Sequence, residues 1–176
     1  MSLNMIIAGF GGQGVLFMGK VAAYTAMVEN KYVSWLPSYG PEMRGGTANC
    51  SVCIDDEEIA CPIIYDPETL VVLNRPSYDK YVDTVQPGGK LFLDSSLIDV
   101  KCPRTDIDVY YVPVTALAND NNMKGLANII MLGKVLKETQ FTTMDVLFQA
   151  VDKCVSAKKA HLLEANKKAL QLGYEQ

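Results

Sequence analysis

Short, continuously apolar runs punctuate the chain at Met5-Ile6-Ile7-Ala8, Thr69-Leu70-Val71-Val72-Leu73, residues 90–93 and residues 109–114. Strands that are apolar throughout, without alternation, belong to a sheet covered on both faces. Longer stretches of helical composition separate them, at residues 15–28, 77–85, 119–139, 143–155 and 158–172. Pro87-Gly88-Gly89 stops the second of these, Thr142 or Thr143 offers an N-cap to the fourth, and Gly173 is placed to close the last. Lys31-Tyr32-Val33-Ser34-Trp35-Leu36 reads as the second strand. Residues 47–54 and 58–64, with an acidic turn between them, read as an antiparallel hairpin. The pattern predicts one α/β domain over residues 1–176. Its sheet is open and mainly parallel, with at least four parallel strands, helices on both faces, an inserted antiparallel hairpin and a helical C-terminal part.

Gly9-Phe10-Gly11-Gly12-Gln13-Gly14 lies between the first apolar run and the first helical stretch. Glycines at this spacing permit a sharp strand-to-helix turn and a close approach of the backbone, and the following helix presents unpaired N–H groups at its positive dipole end. A phosphate or other anion is the usual occupant. The same glycines can instead serve only close helix–sheet packing. A nicotinamide dinucleotide would require an acid at the end of the second strand for the ribose hydroxyls. Glu29 precedes that strand, Glu42 lies beyond it, and no arginine stands at its tip.

Tyr39-Gly40-Pro41-Glu42-Met43-Arg44-Gly45-Gly46-Thr47 follows the second strand. A loop there can lie beside the glycine turn at the carboxyl edge of the sheet, where open α/β proteins bind ligands. Three glycines and a proline direct its path, and Arg44 can make paired bonds to a carboxylate or phosphate. The alternative is a surface loop with an internal Glu42–Arg44 pair.

Charge and cysteine usage narrow the classes. A net charge of −4 and a pI near 5.0 argue against a nucleic-acid surface. Asp55-Asp56-Glu57-Glu58 reads as a solvated turn, and Lys158, Lys159, Lys167 and Lys168 as the exposed side of a helix. No apolar stretch is long enough to span a membrane, and no basic segment precedes the first apolar run, so the expected location is the cytoplasm. Cys50, Cys53, Cys61, Cys102 and Cys154 are expected to be reduced and mostly buried. Cys50 and Cys53 stand three apart on a strand and so point to opposite faces, which disfavours a metal or iron–sulfur site. The one histidine, His161, has no nameable catalytic partner.

Together, the glycine turn and the run from Tyr39 to Ala48 resemble the gamma subunit of 2-oxoacid:ferredoxin oxidoreductases. The resemblance extends through Cys61-Pro62, Pro67 to Asn74 and Asn128 to Gly133, nearly the whole chain. Pro41-Glu42-Met43-Arg44-Gly45-Gly46-Thr47 looks more like the 2-oxoglutarate or branched-chain enzymes than the pyruvate ones. The resemblance implies a Rossmann-like domain in a heteromeric enzyme. That enzyme oxidatively decarboxylates 2-oxoglutarate with coenzyme A to succinyl-CoA, carbon dioxide and a reduced acceptor such as ferredoxin. It implies thiamine diphosphate and magnesium between alpha and beta partners, and 4Fe-4S clusters on the beta and delta partners. This chain itself would bind no cofactor and carry no catalytic residue or metal, so alone it should be inactive and colourless. The candidate interface or ligand-binding residues are Gly9, Gly11, Gly12, Gln13, Gly14, Tyr39, Gly40, Glu42, Arg44, Gly45, Gly46, Thr47 and Asn128. Scaffolding is the leading role and a coenzyme A contact the second, with a stand-alone dinucleotide-binding protein as the alternative. An isolated chain would expose a surface meant for partners, through which it could self-associate.

Overall fold

The computed structural model describes residues 2–38 and 47–176. Six strands form one sheet in the order β2-β3-β1-β4-β5-β6. These are β1 (Leu3–Phe10), β2 (Tyr32–Ser38), β3 (Thr47–Asp55), β4 (Thr69–Val72), β5 (Lys90–Asp94) and β6 (Asp108–Val112). β1, β4, β5 and β6 are parallel neighbours, as the apolar runs predict, whereas β3 is antiparallel to both β1 and β2. The antiparallel excursion is therefore β2–β3. Residues 58–64 form no strand, so the predicted second arm of the hairpin is corrected. The pairing that would have gone to it goes to β1 on one side and β2 on the other, which leaves β3 no free edge. The acidic residues Asp56, Glu57 and Glu58 are exposed as expected, but in a bend rather than a hairpin turn.

β1, β4 and β5 bury both faces by alternation, whereas the edge strand β6 is partly exposed. Met5, Ile7, Val71, Leu73 and Phe92 enter the larger core, while Ile6, Leu70, Val72, Leu91 and Leu93 enter a smaller one on the opposite face. Over the larger core lie α1 (Val15–Val28), α4 (Ala127–Thr139), α5 (Met144–Cys154) and α6 (Leu163–Tyr174). The smaller core is closed by α2 (Arg75–Tyr81) and by the segment carrying Ile98, Cys102 and Ile107. β2 is an edge strand, where Pro37 is tolerated because only one side of the strand must supply ladder bonds.

α1 is apolar nearly all round, and its small residues Gly19, Ala22, Ala23 and Ala26 let it lie close on β3. A methyl group at Gly19 would overlap the Cys50 sulfur. That thiol is fully buried, and desolvation pushes its pKa up to about 12. The Trp35 indole N–H is buried beside it without a well-directed hydrogen bond.

Three helical predictions change. Residues 77–85 divide into α2, capped by Asn74 whose side chain accepts from the Ser77 N–H at 2.8 Å, and a short 3-10 turn at Val82–Thr84. Residues 119–139 are two helices, α3 (Val114–Asp120) and α4, interrupted where Asn122 and Gly125 take positive φ. Asn and Gly favour that conformation, and they end helices for the same reason. In the last stretch, residues 157–162 are 3-10 and α6 follows. Thr143 does cap α5, accepting from the Val146 N–H at 3.3 Å.

Gly173 does not close α6. It lies within the helix, packed on α4, where an added methyl would overlap the Ile130 carbonyl; a methyl at Gly133 of α4 would likewise overlap the Leu170 carbonyl. Two glycines thus let the α4 and α6 backbones touch. Because the obstruction is backbone on both sides, Gly173→Ala should lower stability by about 2–3 kcal/mol through overpacking. Urea unfolding of the variant checks this, and an unchanged midpoint would show that the helices can separate without cost.

Candidate functional site

The connections leaving the carboxyl ends of β1 and β4 diverge. β1 continues through α1 toward β2, and β4 continues through α2 toward β5 on the other side of the sheet. That divergence opens a crevice above the two strand ends, the switch point of an open α/β sheet. The glycine turn forms one wall of it.

Within the turn, Gly12 and Gly14 adopt φ of 99° and 74°, which side chains rarely tolerate. Gly9 packs against Val15 and Leu73, and a methyl at Gly14 would overlap the Asn128 amide. Close packing therefore accounts for Gly9 and contributes at Gly14. Gly12 has open space about its Cα, so conformation alone requires a glycine there. Gly11 is exposed and lines a cavity of about 240 Å³ with Phe10, Leu16 and Phe17.

Gln13 ties the turn to the sheet. Its Oε1 accepts from the Phe10 N–H at 2.6 Å and its Nε2 donates to the Leu73 carbonyl at 2.7 Å, so one amide joins the ends of β1 and β4. Asn128, buried on the first turn of α4, donates from Nδ2 to the Gly14 carbonyl at 3.0 Å. This bond brings the N-terminus of α4 against that of α1. Neither helix has a side-chain cap at its start. Two positive dipole ends with uncapped N–H groups consequently meet at the turn, an arrangement that favours an anion.

A cavity of about 390 Å³ lies at this junction, lined by Gly12 and Gln13 from the turn, Leu73 and Asp94 from strand ends, Thr115 and Asn119 from α3, and Lys124 and Gly125 from the loop before α4. Asp94 is only 1% exposed, yet its carboxylate is occupied. It accepts from the Ser96 N–H at 3.0 Å, from the Thr115 hydroxyl and from the Thr115 N–H at 3.4 Å, which anchors the start of α3. Lys124 is exposed at the rim and brings a positive charge to the two helix ends.

Of the residues singled out in the sequence, Gly9, Gly11, Gly12, Gln13, Gly14 and Asn128 come together. Thr47 begins β3 opposite Phe10, and Ser38 ends β2 opposite Asn49, so both flanks of the intervening loop stand at the same sheet edge. Tyr39, Gly40, Glu42, Arg44, Gly45 and Gly46 lie outside the described residues. Sequence reasoning missed Asp94, Thr115, Asn119, Lys124 and Gly125. The run Asp120-Asn121-Asn122 followed by Gly125 is a turn signal, and giving it more weight than the helical composition around it would have exposed this wall.

The topology also bears on the dinucleotide alternative. In a doubly wound sheet the ribose-binding acid ends a strand parallel and adjacent to β1. Here the neighbour of β1 on that side is the antiparallel β3, which begins, rather than ends, at the carboxyl edge. That position cannot be filled in the usual way. The five cysteines are free thiols, with Cys50, Cys53 and Cys102 buried and Cys61 exposed. His161 is exposed. Among the described residues no group of three or more His, Cys, Asp and Glu side chains is placed to hold a metal ion. No helix among them is long and apolar enough to cross a membrane.

Fold and crevice together define an open α/β protein with a cavity at its switch point. The family model described as pyruvate ferredoxin/flavodoxin oxidoreductase matches residues 4–176, and the chain belongs to that family. The 2-oxoglutarate synthase subunit KorC of Methanocaldococcus jannaschii is 34% identical over 96% of this chain and 90% of its own length. The ketoisovalerate oxidoreductase subunit VorA of Methanothermobacter thermautotrophicus is 38% identical over 96% of this chain but 35% of its own length. The chain thus spans about a third of the first curated relatives it matches. A solved keto/oxoacid ferredoxin oxidoreductase gamma subunit from Geobacter sulfurreducens superposes with a TM-score of 0.83 at 29% identity, covering 98% of this chain and 96% of that one. The resemblance to gamma subunits read from the sequence motifs is borne out by these relatives.

Gln13→Ala removes both amide bonds between β1 and β4, leaving the Phe10 N–H and Leu73 carbonyl without this partner. At roughly 1 kcal/mol for each net hydrogen bond, stability should fall by about 2 kcal/mol. A loss under about 0.5 kcal/mol on denaturant unfolding would mean that water replaces the amide and that the clamp is not structural.

Proposed function

We propose that this chain is the gamma subunit of a 2-oxoacid:ferredoxin oxidoreductase of the 2-oxoglutarate type, which makes succinyl-CoA, carbon dioxide and reduced acceptor. It works in the cytoplasm as one gamma-type domain, assembled with alpha, beta and delta partners. Thiamine diphosphate, magnesium and the 4Fe-4S clusters belong to those partners. Cofactors carry the difficult chemistry, and protein subunits supply binding and orientation. This chain accordingly acts as scaffold and interface through the loops at the carboxyl edge of its sheet.

The observation that carries the reading is the meeting of two uncapped helix N-termini at the Gly14–Asn128 bond, beside Lys124 and a 390 Å³ cavity. Such a surface suits a phosphate of coenzyme A presented at the subunit boundary. Arg44, in the loop between Ser38 and Thr47, is proposed as a second cationic contact or a docking residue. Similarity to KorC along nearly the full length of both chains supports the 2-oxoglutarate assignment. A branched-chain 2-oxoacid is the second reading, favoured by the 38% identity to VorA.

Two variants separate the roles in the native complex. Lys124→Ala should leave co-purification intact and raise the KM for coenzyme A about tenfold, equivalent to about 1.4 kcal/mol. Arg44→Ala should leave the thermal stability of the isolated chain within about 0.5 kcal/mol of the parent. If it abolishes co-purification, Arg44 docks a partner; if it raises the coenzyme A KM in an intact complex, it contacts ligand. Unchanged assembly and kinetics in both variants would remove the proposed surface. Turnover of 2-oxoglutarate, 2-oxoisovalerate and pyruvate by that complex decides the substrate.

A further inference from the structure

Cys53 and Cys61 are brought to one place by the fold. On β3, Cys50, Val52 and Ile54 enter the core beneath α1, so alternation turns Cys53 to the opposite face. There the strandless segment 58–64 crosses over it. The Cys53 thiol donates to the Pro62 carbonyl at 3.9 Å, and Ile64 packs into the smaller core. Cys53 is 4% exposed, whereas Cys61 stands in solvent with its thiol on the Ile63 carbonyl at 3.9 Å. Burial raises the Cys53 pKa, and the neighbouring Cys61 raises it further.

We propose that this pair is an oxidation site, in which a peroxide reacts at Cys61 and Cys53 resolves the product to an intramolecular Cys53–Cys61 disulfide. The Cys61 thiolate attacks one peroxide oxygen, the O–O bond breaks, and hydroxide leaves as water after taking a proton, giving the sulfenic acid. The Cys53 sulfur then attacks the Cys61 sulfur. The S–S bond forms, the S–O bond breaks, and a second water departs with the thiol proton. Peroxide accepts two electrons and the two thiols supply them. The exposed thiol is the reactive one because the oxidant can reach it, while the buried one is protected until a sulfenic acid forms beside it. A disulfide needs the two Cβ atoms within about 3.5–4.5 Å. The contact of the Cys53 thiol with Pro62, the residue after Cys61, brings the two positions together, and no strand ladder runs through residues 58–64. The bond would fix to β3 the segment that leads into Ile63 and Tyr65, which are 52% and 75% exposed. Cys50 does not compete, since it faces the other core and its thiol stays protonated to about pH 12.

The test uses the full chain, reduced, desalted and exposed to hydrogen peroxide, then alkylated and digested with a protease that cuts after glutamate. Cleavage after Glu57 and Glu58 separates Cys53 from Cys61, so the two peptides remain together only if a disulfide joins them. The expected result is a loss of two hydrogens in the intact mass and a joined 53–61 pair that a reducing agent parts. In Cys53→Ser, Cys61 should accumulate as a sulfenic acid trapped by dimedone; in Cys61→Ser the joined pair and the trapped acid should both vanish. Absence of the joined pair in the parent chain, a disulfide through Cys50, or Cys61 bridging two chains would each overturn the proposal. The parent-chain mapping stands whether or not the serine variants fold.

Discussion

The bonds made by two side-chain amides hold the centre of this molecule together. Gln13 joins the carboxyl ends of β1 and β4, and Asn128 joins the start of α4 to the start of α1. Remove the first, and the two strands flanking the switch point lose their only described side-chain link above the ladder. Remove the second, and the helix ends lose the side-chain bond that ties them together among the described residues. Packing alone would leave the glycine turn in many conformations, because glycine-rich backbone costs most to order. The amides select one, and in that one the N–H groups of two helices converge.

That convergence explains why an apparently ordinary glycine turn acquires a distinct chemical character here. A single uncapped N-terminus attracts an anion weakly, by about 0.3–1 kcal/mol at an exposed site. Two such ends with an exposed lysine at the rim add their fields. The buried Asp94 does not cancel this attraction at full strength, because its oxygens already accept three donors from Ser96 and Thr115. The insertion of β3 beside β1 has the complementary effect. It removes the parallel neighbour on which a dinucleotide's ribose would rest, and it brings the flanks of the Tyr39–Gly46 loop to the same edge. One topological choice thus works against one ligand class and brings Ser38 and Thr47 to the carboxyl edge of the sheet.

The distribution of small residues follows the same logic of close approach. Gly19 allows α1 to lie on the Cys50 and Trp35 side of the sheet, and Gly133 with Gly173 allows α4 and α6 to cross at backbone contact. α4 is thereby fixed from both sides, by α6 behind it and by the Gly14–Asn128 bond in front. The position of its N-terminus, and so of Lys124 and Gly125, depends on those glycines although they lie far along the helices from the crevice.

Composition and periodicity alone determined the four parallel strands, because runs such as Leu70 to Leu73 are apolar on every residue, as a doubly covered sheet requires. They also determined α1, whose bounds match the composition, and the turn from Gly9 to Gly14, whose spacing has a local backbone meaning. The chain's kinship was legible in the same stretches. Pairing partners were not legible. Residues 58–64 have strand-like composition, but β3 found its two neighbours in β1 and β2, and hydrogen-bond saturation left no place for a third. Nor could composition show that Gly173 serves a helix crossing rather than a helix end, since both uses need a missing side chain and only the approach of Ile130 distinguishes them. The crevice was the least legible of all. Asp94, Thr115 and Lys124 lie far from Gly12 in sequence, and it is the divergence of two crossovers above the strand ends that makes them neighbours.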